Sequence, residues 1–177
     1  MKTIRYELHD GIATITFDEP GSPVNTMCTD WQRDLTTVTG LVVRDKALIK
    51  GIILASAKST FFAGADLKGT MRLKASDARQ VYAEIEQTKK NFRTLETLGV
   101  PVVSCINGAA LGGGLELALS CTYRTAAADV GALALPETFL GLVPGWGGCY
   151  LLPHLVGVRR ALELILTRPL ANNRMTD

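Results

Sequence analysis

The chain has 177 residues, enough for one domain with a sizeable core, and 47% of them are hydrophobic, 20% charged and 6% aromatic. A formal charge of +2 without a basic stripe argues against nucleic acid as a partner, since Lys89-Lys90 and Arg159-Arg160 are isolated pairs that read as solvated faces. No apolar stretch is long enough for a membrane helix and no basic start precedes an apolar run, so a cytoplasmic location without membrane contact is expected.

The chain opens as a β-hairpin: residues 3–8 and 12–17 alternate, and Asp10-Gly11 supplies the turn. A loop with Pro20, Gly21, Pro23 and Asn25 follows. Trp31, Leu35, Val38 and Val42 then recur at helical spacing, with Thr29 or Asp30 as N-cap. Residues 51–56 are a short continuous apolar run that fits a buried strand. Residues 61–66 form a small-residue loop. The longest helix is expected over 76–98, with Val81, Ile85, Phe92 and Leu95 on one side. Pro101 starts another buried strand over 102–106. A glycine-rich bend over 107–114 leads into a helix over 115–120, and a run of small residues reaches Leu135. A second glycine-rich bend covers 141–148. An apolar helix over 159–166, ended by Pro169, closes the series. The order β-β-α-β-α-β-α predicts a mixed α/β fold in which buried strands feed glycine bends into helices.

The cysteines, Cys28, Cys105, Cys121 and Cys149, do not form a metal clip or a redox CxxC pair, and the histidines are limited to His9 and His154. No metal site is expected. Cys105 and Cys121 read as core thiols.

Three segments carry the chemistry: 61–68 (FFAGADLK), 107–116 (NGAALGGGLE) and 135–148 (LPETFLGLVPGWGG). Glycines where a strand turns into a helix free backbone N–H groups and leave no Cβ to block a ligand. Two N–H donors converging on one oxygen make an oxyanion hole. The bend at Ala63-Gly64-Ala65 can supply one donor and the Gly112-Gly113-Gly114 bend the other. Glu116 follows in the first helical turn, and Glu137 follows a proline in an apolar segment. Two carboxylates beside such a hole suit acid/base work at a carbonyl compound. Each feature alone has a plainer reading. The glycines can cradle a phosphate, although neither a GxGxxG nor a Walker pattern is present. Glu116 can be a helix-terminal charge, Glu137 a surface charge, Asp66 an N-cap, Lys68 a solvated lysine and Trp146 packing. No GxSxG elbow occurs.

Taken together and in this order, the three segments resemble the crotonase (enoyl-CoA hydratase/isomerase) superfamily over essentially the whole chain. The resemblance implies the crotonase (ClpP-like) α/β spiral of ββα units. It implies that the thioester carbonyl of an acyl-CoA sits between the N–H groups of Ala65 and Gly113, and that Glu116 and Glu137 position and activate a water and protonate the α-carbon. Gly145 matches a glycine lining the acyl site. Ala63, Ala65, Asp66, Leu67 and Lys68 match the segment around the adenine and pantetheine of CoA, where Lys68 meets a phosphate. Both glutamates together favour hydration of trans-2-enoyl-CoA in β-oxidation, with 3-enoyl-CoA isomerisation as a side activity. Coenzyme A enters as part of the substrate and no separate cofactor is implied. A homotrimer or hexamer is the implied assembly.

Cys121-Thr122-Tyr123-Arg124 departs from the common Cys-Asp start. The ending Asn172-Asn173-Arg174-Met175 differs from that of small hydratases, and together with residues 143–148 it looks more like the hydratase part of multifunctional fatty-acid-oxidation α-subunits. In those a dehydrogenase follows, and nothing in these residues binds NAD. Complete members are longer, so residues 1–177 are read as one domain lacking its C-terminal helical region, with Leu162, Ile165 and Leu166 short of cover. Two other readings stand beside the hydratase: a catalytically impaired acyl-CoA-binding or assembly module, and a Clp-type serine protease, for which no Ser-His-Asp set is evident.

Overall fold

The computed structural model describes residues 1–167. In chain order the elements are β1 (Ile4–His9), β2 (Ile12–Phe17), α1 (Thr29–Arg44), β3 (Gly51–Ser56), α2 (Leu67–Thr70), α3 (Ala78–Glu96), β4 (Val102–Ile106), β5 (Ala110–Leu111), α4 (Gly113–Leu119), β6 (Tyr123–Ala126), β7 (Leu133–Ala134), α5 (Gly148–Val156) and α6 (Val158–Leu166). A 3₁₀ turn spans Glu137–Leu140. The mixed α/β expectation holds: five strands run in the order β1-β2-β3-β4-β6, and β5 pairs with β7 in a second, two-stranded sheet. Only the β1–β2 pair is antiparallel in the larger sheet. Its turn is Asp10-Gly11, with φ of 50° and 84°, which matches the twist of the hairpin.

One face of the sheet is dry. Ala13, Ile15 and Phe17 from β2, Ile52 and Leu54 from β3, and Val102 and Ile106 from β4 lie in the core, as period-two alternation requires. Trp31, Leu35, Val38 and Val42 form the buried stripe of α1 that was legible in the sequence. The N-cap is Cys28 rather than Thr29 or Asp30, and no side chain caps this end. On α3 the buried stripe is Thr88, Asn91, Phe92 and Leu95, whereas Val81 and Ile85 are only partly covered. Asn91 donates to Thr36 Oγ1 at 2.9 Å and ties α3 to α1.

The N-terminus is pinned by Asp34 on α1, whose Oδ2 accepts from Lys2 N at 2.5 Å, Thr3 N at 2.7 Å and Thr3 Oγ1 at 3.0 Å. Burial works against the Asp34 charge, but the Thr3 and Lys2 donors outweigh it and hold the carboxyl below its ordinary range. Asp34→Ala is expected to cost about 1–3 kcal/mol in a urea titration at neutral pH, because buried donors lose their acceptor. The deficit should begin to shrink as pH falls below about 4, where the unfolded chain takes up a proton at Asp34 that the folded carboxylate still refuses, and should vanish once pH passes the lowered folded value.

The expectation that Leu162, Ile165 and Leu166 share a loss of cover needs correction. Leu162 and Leu166 are 51% and 54% exposed, but Ile165 is packed in the core with Ala161. Cys121 is buried as expected and Cys105 only partly so. The departure at Thr122 and Arg124 has a structural use. Thr122 Oγ1 accepts from Val102 N, and Arg124 Nη1 donates to the carbonyls of Ala118, Leu119 and Cys121 that α4 leaves open at its C-terminal end. The readings at Pro169 and at Asn172–Met175 lie outside the described residues.

Candidate active site

The site lies beyond the C-terminal ends of β3 and β4. Phe61 and Phe62, fully buried against each other and against Phe17, anchor the loop after β3. Part of the loop's backbone is then committed. Phe61 and Phe62 donate to Ala109 O, Ala63 donates to Asn25 O, and Gly64 O accepts from Met27 N. Ala65 is different. It stands opposite Met27 in a parallel bridge and is exposed, and its own N–H, like that of Gly64 before it, has no partner among the described residues. Ala63, with its donor spent on Asn25, is thereby set apart from Ala65.

The loop after β4 meets this one edge on. Gly112 has φ 54° and donates to Ala134 O, which turns the chain sharply into α4. The next N–H, that of Gly113, has no partner among the described residues. The residues preceding the two free donors almost touch, since a methyl on Gly112 would lie 4.0 Å from Gly64 Cα. It would also lie 2.9 Å from Glu137 Oε1, so the Glu137 carboxylate rests against the same bend.

Glu116, one turn into α4, is 2% exposed. Its Oε1 accepts from Trp146 N and from Gly148 N, both at 2.8 Å. Burial raises the Glu116 carboxyl, the Gly148 and Trp146 donors pull it back, the nearby Glu137 charge adds to the rise, and together they leave it at about 7. Burial also raises Glu137, whose Oε2 is buried without a hydrogen-bond partner among the described residues. A carboxyl that resists ionisation beside a second one of the same kind is suited to holding a proton near neutral pH and releasing it.

The remaining predicted residues fall around this centre with less definition. Asp66 caps α2 by accepting from Gly69 N at 3.1 Å, which is the plain reading of that residue. Leu67 is exposed. Lys68 lies on α2, and its side chain is outside the described part of the structure. Gly145 is exposed in the turn before Trp146, with no atom closer than 3.9 Å to where its methyl would be. Two cavities of about 200 and 210 Å³ lie away from both glutamates, one beside Arg124 and His154 and one between α1 and α3.

Sequence reasoning missed that the second glycine-rich bend holds Glu116. Its donors are the backbone N–H groups of Trp146 and Gly148. A glycine-rich run that exposes N–H groups is the signal that was present, but nothing in the order of residues says which acid it serves. Cys149, which opens α5 with Gly148, was also not singled out. It feels the charge of both glutamates.

A family model described as enoyl-CoA hydratase/isomerase matches residues 7–173. The chain is 43% identical over 161 residues to the fatty acid oxidation complex subunit alpha of Shewanella halifaxensis, covering 89% of this chain and 22% of that protein. The subunit of the same name from Shewanella loihica is 40% identical over 162 residues, with 90% and 22% covered. The chain thus spans about a fifth of these relatives. Among solved structures, enoyl-CoA hydratase from Bacillus anthracis superposes with a TM-score of 0.81 at 33% identity, over 92% of this chain and 62% of that one. An enoyl-CoA hydratase of Geobacillus kaustophilus gives 0.86 at 26% identity, over 94% and 61%. With nearly the whole chain inside the family model, and with the fold and the three motif segments agreeing, the chain belongs to the enoyl-CoA hydratase/isomerase (crotonase) family.

Proposed function

We propose that the chain adds water across the double bond of trans-2-enoyl-CoA thioesters, as a step in fatty-acid oxidation. The observation that carries this reading is the meeting of two carboxyls raised by burial with two touching loops, after β3 and after β4, on which the N–H groups of Ala65 and Gly113 lack partners among the described residues. In this reading the N–H groups of Ala65 and Gly113 hold the thioester oxygen and stabilise the negative charge that gathers there. A donor of this kind is worth roughly 10²–10³ in rate. Glu116 and Glu137 act as a pair that shares one proton. The pair orients a water, takes a proton from it as its oxygen bonds to the β-carbon, and returns a proton to the α-carbon as the enolate collapses. Water is consumed, a 3-hydroxyacyl-CoA forms, and the pair ends as it began. Ala63, Asp66, Leu67 and Lys68 would contact the CoA moiety, and Gly145 the acyl part.

The test is hydration of crotonyl-CoA, followed as loss of the conjugated enoyl-thioester absorbance with no release of free thiol. Turnover is expected, with kcat/KM rising and then falling with pH around neutrality, because one carboxyl must be charged and its neighbour protonated. Tight binding of crotonyl-CoA without turnover would leave an acyl-CoA-binding module. Conversion of a 3-enoyl-CoA at a rate above hydration would move the assignment to an isomerase.

A further inference from the structure

We propose that the Trp146 indole is the inner wall of the acyl groove and sets the length of acyl chain that the site accepts. The inference deepens the acyl-CoA reading above and rests on it. A thioester oxygen held by Ala65 and Gly113 brings the first acyl carbons against the Gly112-Gly113 bend. On the Cα side of Gly113 there is no free space. A methyl there would lie 2.3 Å from Trp146 Cζ3, 2.5 Å from Trp146 Cε3 and 2.7 Å from Met27 Sδ. The indole touches the backbone that carries the candidate donor.

The wall is also fixed from behind. Trp31 stacks on the Trp146 ring with centroids 6.1 Å apart and planes 25° apart, and Phe92 meets it edge-on at 6.0 Å. Both partners are buried core residues. The main chain that carries the ring is held as well, since the backbone N–H of Trp146 donates to Glu116 Oε1 at 2.8 Å. A ring packed against Trp31, Phe92 and the Gly113 backbone cannot swing away to admit a longer tail, as a surface side chain can. Trp146 nonetheless keeps partial exposure, so it is not sealed in the core as Trp31 is. The residue that anchors an acid through its backbone thus limits the depth of the groove through its ring, and the preferred substrates are short-chain enoyl thioesters.

The experiment compares kcat/KM over a series from crotonyl-CoA to trans-2-decenoyl-CoA for the 177-residue chain and for its Trp146→Phe and Trp146→Leu variants. The unaltered chain should lose efficiency as the acyl chain lengthens. Both variants should raise the decenoyl-to-crotonyl ratio, Leu more than Phe, by at least about tenfold, the effect typical of a hydrophobic pocket that gains or loses a methylene. A ratio is unaffected by a general loss of activity. An unchanged ratio in variants that still hydrate crotonyl-CoA would overturn the proposal. If neither variant folds, the intrinsic fluorescence of the unaltered chain decides. Its two tryptophans are Trp31 and Trp146, and Trp31 is sealed in the core. Saturation with butyryl-CoA should therefore change the emission through Trp146, and butyryl-CoA that is bound by equilibrium dialysis with no emission change would overturn the wall. Failure to bind any acyl-CoA would remove the reading of the site itself. Binding and turnover with flat chain-length dependence would remove only the role of Trp146.

Discussion

Gly113→Ala is expected to abolish most of the hydration activity and to lower folding stability together. The added methyl would stand 2.3 Å from the Trp146 ring. A clash is cheap when the neighbour is the free end of a flexible side chain, but here the ring is backed by Trp31 and Phe92. The strain must therefore move α4 or the 141–148 bend. Overpacking of this kind costs about 1–3 kcal/mol, occasionally more. Displacement of a reacting group by about 1 Å can cost roughly 10²-fold in rate. Urea denaturation and crotonyl-CoA hydration measure the two effects. Gly145→Ala is the control, since its methyl would approach nothing closer than Val143 O at 3.9 Å and stability should stay within about 0.5 kcal/mol. Trp146→Leu should partly relieve Gly113→Ala, because residues in contact are coupled. Gly113→Ala with unaltered melting and unaltered turnover would contradict the geometry.

Where one pattern decides a local structure, the sequence was readable. The hairpin needed only period-two alternation and a dipeptide that tolerates positive φ, and both strands and the Asp10-Gly11 turn stand where they were expected. The stripe on α1 and the strand over 102–106 are of the same kind. The region from 107 to 156 behaved differently. β5, β6 and β7 are two to four residues long and lie in a stretch dominated by alanine and glycine. No periodicity can establish itself over such lengths. β5 and β7 exist because Ala110 N and Gly112 N find Ala132 O and Ala134 O, and β6 because it lies beside β4, all tertiary events. α5 was missed for a related reason. It begins at a glycine and contains Pro153, and both argue locally against a helix. Packing of Leu152 into the core overrides them.

The site was legible as residues and illegible as an arrangement. Glu116 and Glu137 stand out because charges are rare in their segments, and Ala65 and Gly113 stand out through the motifs, since pairing alone does not single them out: the N–H groups of Gly64 and Gly114 beside them also lack a partner among the described residues. Which backbone holds which acid depends on the 141–148 bend returning across α4, and no local pattern encodes that return. The resemblance of motifs supplied the grouping, and the coordinates supply its physical reason.

Glu116→Gln is expected to stabilise the chain at alkaline pH while removing its activity. Burial raises this carboxyl from 4.5 to about 7. Between those values the folded chain keeps a proton at Glu116 that the unfolded chain has released. Stability therefore falls as pH rises from about 4.5 to about 7, and stays level above. At about 1.4 kcal/mol per pH unit, the full cost of ionising Glu116 in place approaches roughly 3 kcal/mol at pH 8. A glutamine retains an amide oxygen that can accept from Trp146 N and Gly148 N, and it carries no charge to bury. The variant should thus unfold at higher urea than wild type at pH 8, with the two curves converging near pH 4. Turnover of crotonyl-CoA should fall by roughly 10²–10⁴, the range typical of a lost acid/base group, and the pH–rate profile should lose one limb. Glu137→Gln should shift stability in the same direction but by less, because Glu137 is only partly buried. The opposite signs are what make the measurement decisive. A carboxylate present for packing or for its hydrogen bonds would leave the fold weaker when replaced. One that the fold tolerates at a cost, and that turnover cannot do without, leaves it stronger. An E116Q chain destabilised at pH 8, or one that still hydrates crotonyl-CoA at the wild-type rate, would take Glu116 out of the reaction.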